Sequence, residues 1–93
     1  MVSERELRIE RSFERVGGAL ERVLSDLGWH VDAVDRESGI LDAGKRGWFG
    51  YRTVSCRLVA NGSETTLSLK SSLKMPKLQE IIDTLSRALE LGA

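Results

Sequence analysis

On either side of Asn61-Gly62, from Tyr51 to Leu73, apolar and polar residues alternate with a period of two. This is the pattern of two antiparallel strands, each with one buried face, joined by a tight turn. Asn-Gly suits the two positive-φ positions of a type I′ turn. A two-residue loop there sets Ala60 opposite Ser63, Leu58 opposite Thr65, Cys56 opposite Leu67 and Val54 opposite Leu69. Those pairs make a largely apolar face. The same register puts Arg57 against Thr66, Ser55 against Ser68 and Thr53 against Lys70, so the second face is hydroxyl-rich and basic. One face is expected to be core and the other wet.

The remaining elements follow from the same kind of pattern. Phe13, Val16, Leu20, Val23, Leu24 and Leu27 form one helical stripe opposite Glu14, Arg15, Glu21, Arg22 and Asp26, which predicts a helix over 13–27. Gly28 stands at its C′ position, from where Trp29 can fold back on Leu24 in a Schellman arrangement. The preceding segment reads two ways. Leu7 and Ile9 alternate with charges like a short edge strand, with Ser12 as the N-cap of the helix. Alternatively, Ser3-Glu4-Arg5-Glu6 is a capping box and a single helix runs from the start. Strand then helix is preferred, because a helix of about 25 residues is long for so small a domain.

Trp29 to Arg36 and Gly39 to Arg46 read as a second hairpin, with Gly39 supplying positive φ at the end of the turn. Trp29, Val31, Ala33, Leu41 and Ala43 are expected to point inward. Val34 and Ile40 fall out of phase, either covering the opposite face near the turn or marking a bulge. Pro76 opens a second amphipathic helix, closed by Gly92, with Leu78, Ile81, Ile82, Leu85, Ala88 and Leu89 as its buried stripe. Gly17-Gly18 sits inside the first helix, where each glycine costs about 1 kcal/mol relative to alanine. Close approach of the sheet or the second helix is the expected reason, with approach of a ligand as the alternative.

Length and composition change this picture little: 93 residues, 41% apolar and 30% charged, describe one ordinary globular domain over residues 1–93. A lone cysteine, Cys56, excludes an internal disulfide and falls on the inward face, where it acts as a small core hydrophobe. Charge changes it more. The net charge is zero, yet from Ala43 to Lys77 there are seven basic residues and one acid, and the rest of the chain carries the compensating excess of acids. Either acidic helices complement a basic sheet, or the sheet offers an anion-binding surface through Lys45, Arg46, Arg52, Arg57 and Lys70. Lys74 and Lys77 flank the start of the second helix, whose macrodipole already favours an anion, and suggest a small phosphate or carboxylate site there.

The segment from Gly44 to Arg52 packs Trp48, Phe49 and Tyr51 among three basic residues and three glycines. These aromatics either fold back as a lid over one end of the core or meet a partner, whether protein, nucleic acid or lipid. Enzymatic chemistry has no support: there is no nucleophile elbow, no P-loop, no dinucleotide fingerprint and no zinc spacing, and His30 is the only histidine. No catalytic residue, metal site or cofactor is assigned. The amino terminus is too charged for a signal peptide and no apolar run is long enough to span a membrane, so a cytoplasmic location is expected.

The elements in order give β-α-β-β-β-β-α, an α+β two-layer sandwich of an antiparallel sheet packed on two helices. A helix ending Leu27-Gly28-Trp29, a strand reaching Asp35, a turn to Gly39-Ile40-Leu41, a long hairpin and a final helix resemble the small helix-grip domains. That class includes the TATA-box-binding protein repeat and reduced relatives of the pollen-allergen and START-like lipid binders. The outward face departs from the first of these, since Thr53, Ser55, Arg57, Thr66, Ser68 and Lys70 are not intercalating phenylalanines. The chain is also too short for the large cavity of the lipid binders. Three readings of function follow. The leading one is a non-enzymatic binding or assembly module that meets a protein partner or a second copy of itself through the open sheet face and the Trp48-Phe49 loop. The others are anion-directed binding of nucleic acid or an acidic surface, and a small apolar ligand held between sheet and final helix.

Overall fold

The computed structural model describes residues 3–47, 50–71 and 75–90. Their order is β1(Ser3–Ile9), α1(Phe13–Asp26), β2(His30–Asp35), β3(Ile40–Gly47), β4(Gly50–Asn61), β5(Glu64–Ser71) and α2(Met75–Ala88). The five strands form one antiparallel sheet in the order β1-β5-β4-β3-β2. The first segment is therefore a strand, and it supplies the partner that β5 needs. Both helices share one buried cluster with the inward side chains of the sheet, including Val54, Cys56, Leu67, Leu69, Val16, Leu20, Ile81 and Leu85.

The central hairpin has the predicted faces but not the predicted turn. Asn61 pairs with Glu64, Leu58 with Leu67 and Cys56 with Leu69, so the loop is Gly62-Ser63 rather than Asn61-Gly62. Gly62 has φ +68 and Ser63 is not among the positive-φ residues, as a type II′ turn with glycine first requires. The register thus differs by two residues. Because side chains alternate with period two, such a shift leaves every residue on its face, whereas a shift of one would turn them all over. Val54, Cys56, Leu58, Leu67 and Leu69 are all buried.

Each end of α1 is closed as its sequence implies. The Ser12 hydroxyl accepts from the Arg15 amide, the Gly28 amide donates to Ser25 and the Trp29 amide to Leu24, with Gly28 at φ +88; together these are a full Schellman pair. Helix α2 ends earlier than the Gly92 stop implies, at Ala88, followed by Glu90 at φ +55.

The second hairpin resolves its phase problem in two ways. Pairing slips between Val31 and Ala33, leaving Asp32 as the extra residue of a bulge. Val34 is thereby brought opposite the buried Leu41 on the inner face. Ala33, expected inward, pairs with Asp42 and is exposed. Ile40 covers the outer face, opposite Asp35 on one side and Arg57 on the other. At the turn, Asp35 accepts from the amides of Glu37 and Ser38. The Ser38 hydroxyl and these amides hold its carboxyl below the ordinary carboxylate value.

Gly39 locks this turn to the centre of the sheet. Its carbonyl accepts from the Leu58 amide at 2.7 Å, its φ is +73, and an added Cβ would meet the Leu58 carbonyl oxygen and the Phe13 ring. Gly39→Ala combines a left-handed backbone penalty of about 1–2 kcal/mol with a backbone clash. We expect a loss of at least about 2 kcal/mol in urea unfolding. Cys56 provides a second test. Burial, with a smaller contribution from Asp42, pushes its thiol from 9.0 up to about 12, so the native state keeps a proton that the unfolded chain releases. The contribution of this group should be constant below pH 9 and fall by about 1 kcal/mol per pH unit between 9 and 12, and Cys56→Ala should remove that part of the alkaline slope.

Candidate functional site

Between the first half of α1 and the β2-β3 turn lies a cleft of about 240 Å³. Its floor is apolar: Leu41 and Leu58 are buried, Phe13 is half-buried and Val34 is 40% exposed. One wall is Gly17-Gly18, and a Cβ built at either glycine would find no atom within 4 Å. The glycine pair is therefore not explained by close approach of the sheet or of α2. Two poor helix formers stand where the chain itself leaves open space, and their lack of side chains keeps that space open. The mouth is polar, with Glu14 and Glu21 on the helix and Asp35 and Arg36 on the turn. Arg36 donates to Glu21 at 3.4 Å, an ion pair that bridges helix and turn across the rim.

On the path between sheet and final helix expected for a small apolar ligand, the leucine and isoleucine side chains of α2 are buried in the core. Leu78, Ile81, Ile82, Leu85 and Leu89 are each 4% exposed or less and belong to the same cluster as Leu67, Leu69 and Ile9.

The outer face of the sheet carries a shallow depression of about 720 Å³. Arg57 and Lys70 lie on it together with Ser55 and Ser68. The pairing adds what β4 and β5 alone do not reveal: β1 brings Glu4 opposite Lys70 and Glu6 opposite Ser68, and β3 brings Asp42 opposite Ser55. Lys70 lies 3.7 Å from Glu4 and Arg8 lies 3.9 Å from Glu64. The face is thus a mixture of both charges.

The other described basic residues of this stretch, Lys45, Arg46 and Arg52, are not gathered there. Lys45 falls on the inner side, donates to the Leu27 carbonyl at 3.0 Å and sits 5.7 Å from the centre of the Trp29 ring. It caps the C-terminus of α1, the end where the macrodipole favours a cation. Arg52 pairs with Lys45, and Arg46 pairs with Tyr51 toward the far end of the β3-β4 hairpin. Trp48, Phe49 and Lys74 lie outside the described residues, as do the side chains of Tyr51 and Lys77. Among the described residues no cluster of histidine, cysteine and carboxylate side chains could hold a metal ion, and no helix is long and apolar enough to cross a membrane. His30 lies 3.7 Å from Asp32 at the bulge, both partly exposed.

No protein-family model matches the chain, and a comparison with curated proteins finds no match. Solved structures do match in shape. Ara h 8.0201 superposes with a TM-score of 0.67 at 12% identity, covering 97% of this chain and 98% of that one. A truncated norcoclaurine synthase from Thalictrum flavum gives 0.60 at 11% identity, covering 100% and 95%. The same enzyme in complex with dopamine and hydroxybenzaldehyde gives 0.60 at 12%, covering 100% and 88%. The chain has the helix-grip fold that these proteins share. The TATA-binding part of the sequence resemblance receives no support from these comparisons.

The cleft was only partly legible. Gly17-Gly18 signals an anomaly, but its other wall is formed by a turn distant in sequence and by Val34, whose orientation depends on the bulge. Because neither glycine supports a contact, Gly17→Ala and Gly18→Ala should each stabilise the protein by about 1 kcal/mol, read as a raised urea midpoint. A loss of stability would mean that these positions are sterically constrained after all.

Proposed function

We propose that the chain is a non-enzymatic binding module that takes a small apolar ligand in the cleft between α1 and the β2-β3 turn. The open space beside Gly17-Gly18 carries this reading. A helix that forgoes about 2 kcal/mol of propensity at two adjacent positions, with nothing of its own chain packed against either, has the form expected where a ligand approaches the backbone. Similarity of fold to an enzyme solved with two small molecules is compatible with the reading, though fold alone does not transfer function. The volume is about eight times the roughly 30 Å³ that a water occupies in the liquid, so the ligand is of fragment size.

The test is a titration with hexanol and with hexylamine, followed by the methyl resonances of Val34, Leu41 and Leu58. Shifts at these three residues are expected, and Gly17→Leu, which fills the cleft with a side chain, should abolish them while the protein stays folded. Absence of shifts with both compounds, or equal shifts in Gly17→Leu, would remove the proposal.

A second reading, self-association through the outer sheet face, is favoured by the exposure of that face and by its two signs of charge. Edge-to-edge pairing is the less suitable route: β1 carries Glu4, Arg5, Glu6 and Arg8, with Arg5 turned inward onto Gln79 at 2.8 Å, and β2 is bulged. Both are devices that discourage strand addition. Light scattering should then give a dimer for the native chain and a monomer for Arg57→Glu, whereas a monomer for both eliminates this face as an assembly surface.

A further inference from the structure

Resting on the cleft as a ligand site, we infer that its ligand is cationic: an apolar chain or ring bearing an ammonium group that lies at the mouth. The argument is one of charge complementarity. The floor of Phe13, Leu41 and Leu58 offers no polar side chain, so recognition beyond apolar contact has to come from the rim. There, Glu14, Glu21 and Asp35 face a single cation, Arg36. Asp35 already receives the amides of Glu37 and Ser38, and those bonds favour its charged form. Arg36 is engaged with Glu21, which leaves the rim with an excess of negative charge. Glu14 makes neither an ion pair nor a side-chain hydrogen bond among the described residues. An ammonium group entering with its apolar part on Phe13 would meet Glu14 and compete with Arg36 for Glu21. A carboxylate ligand would meet repulsion at the same rim. The occupant of the groove is therefore identified by its two ends, an apolar group matched to the floor and a positive group matched to the mouth.

Three probes of equal chain length separate this inference from the reading on which it rests: hexylammonium, hexanol and hexanoate, titrated at pH 7 and low salt and followed by the Val34, Leu41 and Leu58 methyl shifts. At that pH the amine is charged, as a lysine side chain is. Hexylammonium should bind about two- to fivefold more tightly than hexanol, the range of an exposed charge contact, and hexanoate more weakly than hexanol. Glu14→Gln should reduce the preference for hexylammonium over hexanol. Arg36→Ala, which removes the competing cation, should increase it. The preference should also shrink at high salt. Equal binding of hexanol and hexylammonium, or a preference insensitive to both Glu14→Gln and Arg36→Ala, overturns the cationic assignment while leaving the cleft as a site. Failure of all three probes to shift the cleft methyls overturns the site itself.

Discussion

The burial of one face of the β4-β5 hairpin beneath two helices is the constraint on which this molecule depends. Val54, Cys56, Leu58, Leu67 and Leu69 form the floor onto which α1 and α2 lay their apolar stripes. The polar groups drawn into that layer are satisfied by backbone: Thr65 donates to the Arg11 carbonyl at 2.9 Å and Ser71 to the Thr53 carbonyl at 2.7 Å. Among the described residues no buried side-chain polar atom lacks a partner. An unpaired one would cost about 1–3 kcal/mol. The edge strands then complete the sheet on either side, β1 on β5 and the β2-β3 pair on β4.

Where the second hairpin meets α1, packing gives way to an opening. Gly39 brings the turn hard against Leu58 and Phe13, so the β2-β3 end of the sheet is fixed in position. The bulge at Asp32 then turns Val34 inward, toward a stretch of helix that has no side chains to receive it. Closeness at Gly39 and emptiness at Gly17-Gly18 are opposite uses of glycine within one small region. The first holds the fold together, and the second leaves open space beside the helix. Beneath α2, in contrast, leucine and isoleucine side chains are buried in the shared cluster.

Electrostatics follow the pairing of strands more than the composition of any one of them. The β4-β5 hairpin taken alone has a basic wet face, but β1 and β3 bring Glu4, Glu6 and Asp42 beside Arg57 and Lys70. On that face Lys70 is paired with Glu4 at 3.7 Å. Lys45 is withdrawn from that face to the end of α1, where the Leu27 carbonyl and the Trp29 ring engage it. Of the basic residues that cluster in sequence, the described ones, Lys45, Arg46, Arg52, Arg57 and Lys70, therefore do not form one surface.

Local chemistry was enough to determine the order and type of the elements after the first segment, the inward and outward faces of β4 and β5, and both caps of α1. Those features depend on periodicity, on Ser12 and on Gly28, each of which acts within a few residues. It was not enough to set the turn register, because Gly62 serves either a type I′ or a type II′ loop and a two-residue slip leaves the burial pattern intact. The strand nature of β1 was decided by its pairing with β5. The fate of Val34 and Ala33 was decided by a bulge, and the charge of the outer face by which strands became neighbours. The cleft belongs mostly to this second class: Gly17-Gly18 marks one wall in the sequence, but the facing wall comes from a turn distant along the chain, and the empty space between them is set by what does not arrive there.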